Sequence, residues 1–270
     1  MIRIFFLLLI SAWALVASAQ PIPLGEVIFI NNSTIKEGVS PGAFEAFFTS
    51  DEITAPGRKT PGTFIKLYKA DRGEKNGEYL LTLSAITKAA RKTLGTSGSP
   101  FTDNEFDPGG SFKSRPSDYL TTPGAFTEYE LLRNGPAWPM PPVELLGIHY
   151  LKVKKEKSQE FERFVTEKLN PSVNRILIPD MGLFYFKAVS GENQGSYITI
   201  FAIMSVAARE KFWPEGKPET EELKAAFKSL NDLARELGTY LEEDSYLKPD
   251  SGGAAAYFES LQWTDYVMVK

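Results

Sequence analysis

The sequence predicts an α+β fold of two tandem βαββαβ units packed sheet to sheet. Three observations carry the prediction. A residue pattern returns 118 positions downstream. Each copy of the surrounding segment reads strand, helix, strand, strand, helix, strand. The central strands are apolar on both faces, so each sheet needs a cover on the side its own helices leave bare.

The pattern is GEYLLTLSAITKAARK at 77–92 and GSYITIFAIMSVAARE at 195–210. Gly77 meets Gly195, Tyr79 meets Tyr197, and Ala89-Ala90-Arg91 meets Ala207-Ala208-Arg209. Upstream, Gly62 and Phe64 return as Gly182 and Phe184 at a spacing of 120, and 44–48 returns as 161–165 at 117. Val27-Ile28-Phe29-Ile30 aligns with Gly147-Ile148-His149-Tyr150 at 120, which sets Phe29 against His149. Downstream, Tyr119-Leu120 meets Tyr246-Leu247 at 127. The spacing drifts by loop-sized steps, as a duplication with small insertions would.

Elements follow from periodicity and punctuation. In the first unit, 26–31 reads as a strand and 41–49 as a helix. The hairpin strands are 63–69 and 78–86. A short helix at 87–94 starts on Thr87, and 125–132 is the last strand. Between them, 95–123 is rich in Gly, Ser, Pro and Asp and reads as a long surface loop. In the second unit, 145–153 is strand-like. Phe161, Phe164, Val165 and Leu169 mark one helix face over 158–169, with Ser158 as its cap and Pro171 just past its end. Strands 183–189 and 196–204 flank a turn at 190–195 of hairpin chemistry. The clearest helix is 219–243, where Leu223, Phe227, Leu230, Leu237 and Leu241 share a stripe. Residues 255–269 close the unit as a strand.

That order is the split βαβ, ferredoxin-like unit, with helices on one face of an antiparallel sheet. Two such units whose bare sheet faces close on each other resemble the dimeric α/β-barrel superfamily. That superfamily includes cofactor-free antibiotic-biosynthesis-type monooxygenases, haem-handling enzymes such as the chlorite-dismutase group, and NIPSNAP-like proteins. The resemblance covers 25–270 and rests on element order and duplication. It implies an intramolecular dimeric α/β barrel, so no second copy of the chain is required. In the haem-binding relatives the ligand histidine sits on a helix, and this chain has none there.

The organisation expected is a signal peptide at 1–19, a first repeat at 20–133, a Pro-rich linker at 134–142 and a second repeat at 143–270. Arg3 gives a positive start, 4–16 is apolar except for Ser11, and Ala17-Ser18-Ala19 forms a small-residue cleavage site. The apolar run is too short for a bilayer and no later run is longer, so no membrane insertion is expected. The mature chain is expected to be secreted or periplasmic. It has no cysteine, so its apolar core must stabilise it without disulfides. The net charge of −4, with both signs mixed, disfavours nucleic acid as a partner.

Candidate chemistry is sparse. The one histidine, His149, shares a strand face with Leu151 and Val153, while Ile148 and Tyr150 point the other way. It is either a proton shuttle or haem ligand inside the barrel, with Tyr150 nearby, or a hydrogen-bonded strand residue without a role. A single His and no Cys exclude His-rich zinc sites and thiolate chemistry. No phosphate loop or nucleophile elbow is present. Asp103, Glu105 and Asp107 alternate as in a calcium loop, but the spacing is broken at Phe106 and Pro108, so no metal is expected. Arg91 and Arg209 recur as holders of an anionic ligand or as structural ion pairs, with Thr87 and Ser205 as helix caps. Tyr185, Tyr197, Trp213 and Trp263 are candidate ligand-contacting aromatics, or core. Asn31-Asn32-Ser33-Thr34 holds two overlapping glycosylation sequons.

The expected function is an exported protein that binds a small apolar or aromatic ligand in or beside the barrel, with no cofactor. A cofactor-free oxygenase or isomerase using His149 is the alternative. A scaffold working through the 95–123 loop is the third reading.

Overall fold

Neighbouring residues of the central strands enter two different apolar cores, and this alternation shapes the molecule. The computed structural model describes residues 24–54, 62–94, 114–122, 126–133, 143–176, 180–245 and 263–270. The strands are β1 (Val27–Ser33), β2 (Thr63–Gly73), β3 (Tyr79–Ala85), β4 (Thr127–Leu131), β5 (Leu145–Leu151), β6 (Met181–Gly191), β7 (Tyr197–Ile203) and β8 (Trp263–Met268). In β6, Leu183 and Tyr185 join a core under helices, while Phe184 and Phe186 face a core enclosed by strands.

The first half orders its strands β4-β1-β3-β2 and the second β8-β5-β7-β6, the same antiparallel arrangement twice. The halves do more than stack. Edge strand β2 pairs with β8, and β4 pairs with β6, closing one eight-stranded barrel. Closure leaves no sheet edge to solvent, which removes the aggregation hazard of an open edge. Both seams carry a bulge. Asp71 is the extra residue between Ala70 and Arg72, and Val189 is the extra residue opposite the Glu128/Tyr129 step. These positions are 118 apart. A bulge sharpens local twist, which suits a seam that must bend to close.

The barrel interior is filled. Ile28, Ile148, Phe186, Ile198, Ile200 and Tyr266 are fully buried there. Each such side chain contributes about 1.5–3 kcal/mol of burial. Of the two places expected for a ligand, in or beside the barrel, apolar side chains from both halves occupy the first.

The helices are α1 (Pro41–Thr49), α2 (Asp51–Thr54), α3 (Lys88–Lys92), α4 (Pro116–Tyr119), α5 (Ser158–Phe164), α6 (Asn170–Ile176), α7 (Val206–Phe212), α8 (Glu221–Lys228) and α9 (Asn231–Tyr240). They cover the outer face of the barrel. Ser40, Thr87 and Ser205 cap α1, α3 and α7 with their side chains. Among the described residues no helix is long and apolar enough to cross a membrane.

Four expectations need correction. Ser158 opens α5 but does not cap it; Lys157 stands at the cap position without a side-chain bond. The helix also runs past Pro171 through a wide π turn at Val165–Leu169. A proline ring clashes with the carbonyl four residues back, and the widened turn just before it relieves that clash. The long 219–243 helix is broken at Ser229, whose hydroxyl donates to the Ala226 carbonyl at 2.6 Å, drawing the chain out of the regular ladder. The 95–123 loop is not wholly loop: α4 lies in it, and Leu120 is buried and bridges Ile35. Asn31, in the first sequon, is buried and its side chain bonds the Thr122 carbonyl, so it is closed to modification. Residues 1–19, expected to be a signal peptide, the acidic 103–107 stretch, the expected linker at 134–142 and 255–262 lie outside the described residues.

Candidate functional site

A pocket of about 380 Å³ lies outside the barrel, on the helix-covered face of the second half. Its floor comes from Gly147 and His149 of β5, Phe201 of β7, and Trp263 and Asp265 of β8. The segment at 213–217, between α7 and α8, forms one wall, and Phe227 of α8 stands beside it. Register explains why these residues meet. Gly147 lies between Phe201 and Asp265, and His149 lies between Thr199 and Trp263. Residues two apart on a strand share a face.

The other half shows why a space exists. By strand register Val27 pairs Ala85 as Leu145 pairs Ile203, so β1 and β5 correspond at a spacing of 118. The alignment of Phe29 with His149 at 120 is corrected: Phe29 corresponds to Gly147, and Asn31 to His149. Phe29 sits between Leu83 and Glu128 as Gly147 sits between Phe201 and Asp265. The Phe29 ring packs 5.5 Å from Phe126 and lies under Arg91, 5.0 Å from its guanidinium. Its counterpart has no side chain. A Cβ on Gly147 would already stand 3.1 Å from the Asp265 carboxylate and 3.4 Å from the Phe201 Cβ. The duplication thus has a phenylalanine in one half and, beside the pocket, a glycine in the other.

A charged cluster lies against the pocket at the β2–β8 seam. Arg209 of α7 is 4% exposed and reaches Asp71 at 2.7 Å, Glu210 at 3.0 Å and Asp265 at 3.5 Å. The bulge at Asp71 brings that carboxylate into range. Arg72 donates to Glu210 at 2.6 Å and to the Trp213 carbonyl at 3.1 Å, and reaches Glu215 at 3.6 Å. Burial pushes the Asp265 carboxyl up to about 6, and the pull of Arg209 and Arg72 only partly offsets it. Burial pushes His149 down to about 3, so its imidazole is neutral at physiological pH. Asp265, held near 6, is thus placed to change charge close to neutrality.

The sequence candidates separate into two sets. His149, Trp213 and Trp263 line the pocket, and Arg209 braces it from behind through Asp265. The other four stand elsewhere. Tyr150 is on the opposite face of β5, at the barrel interior with Lys75 over its ring, so it makes no pair with His149. His149 itself is outside the barrel, not within it. Tyr185 is buried in the helix-side core, one strand beyond Thr199. Tyr197 donates to Glu162 at 2.6 Å, with Lys187 2.7 Å from the same carboxylate. The same tie recurs in the first half, where Tyr79 and Lys69 hold Glu45. Tyr197 therefore fastens a helix to the sheet. Arg91 is bound to Glu128 at 2.5 Å in the half where Phe29 fills the space. The sequence reading missed Gly147, Asp265, Arg72, Phe201 and Phe227. A strict spacing of 118 through β5 would have exposed the exchange of Phe29 for glycine.

Haem-handling members of the superfamily raise the question whether these residues suit such a group. They do not. Asp265, Glu210 and Glu215 place three carboxylates beside this space, and Arg72 is already bound to both glutamates. A ligand bearing two carboxylates of its own would be repelled. His149, 7% exposed and edge-on to Phe201 at 5.6 Å, is part of the floor.

No family model and no curated protein matches the chain. Solved structures similar to it include an anthrone oxidase-like protein, at 12% identity and a TM-score of 0.45, covering 90% of this chain and 91% of that one. A chlorite dismutase from Candidatus Nitrospira defluvii matches at 8% and 0.41, covering 90% and 91%. An encapsulated DyP-type peroxidase from Mycobacterium smegmatis matches at 12% and 0.42, covering 93% and 95%. At these identities the likeness carries nothing about substrate or cofactor. The strand order, repeated in each half and joined edge to edge, gives the chain the ferredoxin-like dimeric α/β-barrel architecture with both halves in one polypeptide.

Proposed function

We propose that the chain binds one small, compact, largely apolar molecule in the pocket beside the barrel. The observation that carries this is the absence of a side chain at Gly147, where the twin half has the ring of Phe29. Aromatic walls supply apolar contact, and Asp265 supplies a polar anchor. Trp213 and Trp263 line the space, so a bound molecule will alter their fluorescence. The test is a fluorescence titration of small aromatic compounds against the wild type and Gly147→Phe. Saturable binding that Gly147→Phe abolishes, with folding retained, supports the reading. Equal binding by both proteins overturns it.

A second reading, a cofactor-free oxygenase or isomerase, is favoured by Asp265. A carboxyl raised to about 6 is poised to take up and release a proton near neutrality. On this reading Asp265 replaces His149 as the proton-transfer group. Turnover lost in Asp265→Asn while ligand affinity persists would establish it.

Export remains part of the proposal. It rests on the positive start, apolar run and small-residue cleavage site at 1–19. N-terminal sequencing of the mature protein should begin at Gln20; an intact Met1 in the cytoplasm would refute it.

A further inference from the structure

We infer that the ligand of this pocket is an organic cation, an ammonium group carried on a small aromatic or branched apolar body. The inference rests on the pocket reading above and adds the ligand's charge.

Two independent features point to it. The first is the ring arrangement. Phe201 meets Trp213 at 6.0 Å and 78°, and Phe227 at 6.4 Å and 75°. Trp213 and Phe227 are 6.2 Å apart. Trp263 lies across the floor, beyond the neutral imidazole of His149. Aromatic faces carry negative quadrupole charge, and several rings around one space attract a cation that has shed its water.

The second is the balance of charge. Among the described residues at this site, Asp71, Glu210, Glu215 and Asp265 are set against Arg72, Arg209 and Lys217. Both arginines are already held by carboxylates, and Lys217 stands exposed at the rim. One negative charge is left over, and half-buried Asp265 shares Arg209 with Asp71 and Glu210 at the longest of the three distances. A cation beside it would supply a further counter-charge. An anionic ligand would meet surplus carboxylate, and a neutral one would leave that surplus in place.

The groups facing Asp265 come from three elements. Arg209 and Glu210 lie on α7, Asp71 and Arg72 on β2, and Glu215 and Lys217 in the 213–217 segment. His149, on the adjacent strand, stays neutral above about pH 3. Between pH 7 and pH 5 the group in the pocket that passes through its titration is Asp265, near 6. A cation prefers the ionised carboxylate, so its affinity must fall as pH drops through that range.

The experiment compares phenyltrimethylammonium, whose charge does not titrate, with tert-butylbenzene, its neutral isostere. Binding is read by tryptophan fluorescence and calorimetry. The cation is expected to bind about tenfold more tightly than the isostere at pH 7. Its Kd should rise about tenfold between pH 7 and pH 5, while that of the isostere stays level. Asp265→Asn should lose about tenfold in cation affinity together with the pH dependence. Glu215→Gln, at the exposed rim where folding is not at risk, should lose about twofold. If the isostere binds as tightly as the cation, or cation affinity is level with pH, the charge assignment is overturned; loss of that binding in Gly147→Phe would leave the pocket reading standing. If neither probe binds the wild type at millimolar concentration, both fall together.

Discussion

Replacing His149 by asparagine tests the electrostatics of the pocket floor with a change the fold already accommodates. Asn31 occupies the equivalent place in the first half and is buried there. Burial alone lowers the His149 pKa from an ordinary 6.5 to about 3. The unfolded chain takes up a proton below pH 6.5 and the folded chain does not, so this residue removes stability as pH falls from 6.5 towards 3. Each pH unit in that window costs about 1.4 kcal/mol. Between pH 7.5 and 4.5 the cost sums to about 2.5 kcal/mol. The asparagine variant does not incur it. Urea denaturation of both proteins at pH 7.5, 6.5, 5.5 and 4.5 is the assay. The stability of His149→Asn relative to wild type should rise by about 2.5 kcal/mol from pH 7.5 to 4.5. A difference independent of pH would refute the reasoning, because it would mean the imidazole takes up its proton as readily in the folded chain.

Asp265 acts in the opposite sense. Its folded pKa is raised from 3.8 to about 6, so the folded state gains stability as pH falls from 6 towards 3.8. Wild type should therefore gain about 2 kcal/mol relative to Asp265→Asn between pH 7.5 and 4.5, in the same urea series. Gly147→Phe should shift Tm by no more than about 5 °C, because burying the ring offsets the ~1–3 kcal/mol cost of moving Asp265 and Phe201 aside; aggregation on expression would contradict the comparison with Phe29. Ile148→Ala should destabilise by about 3 kcal/mol, measured by urea denaturation, because the barrel interior is shared by both halves and cannot readily collapse. Addition of haem should leave the Soret band of free haem unshifted; a sharp shifted band would show that the pocket accepts it after all.

The architecture was legible because its signals are periodic and repeated. The return of Tyr79 as Tyr197 and Arg91 as Arg209 tracks residues that do structural work in both halves, tying a helix to the sheet or binding a seam carboxylate. The doubly apolar run Phe184-Tyr185-Phe186 announced a sheet buried on both faces. Helix ends were less legible. Pro171 reads as a stop, yet a π turn carries the helix past it, and Ser229 breaks a stripe that periodicity alone leaves whole. The site was half legible. Trp213, Trp263 and His149 were conspicuous by residue type. Gly147 and Asp265 were not, because what matters is the absence of one side chain and the partial burial of another. Neither shows in a sequence read without its strand register. The face of β5 was also ambiguous: alternation separates His149 from Tyr150 but does not say which face is the barrel's inside.

The most direct test of the whole account is an amide and indole chemical-shift titration of the uniformly labelled chain with phenyltrimethylammonium. Binding beside the barrel predicts saturable shifts centred on Gly147, His149, Asp265 and the indoles of Trp213 and Trp263. Shifts centred instead on Ile148, Tyr150, Phe186 and Tyr266 would place the ligand inside the barrel and contradict the account.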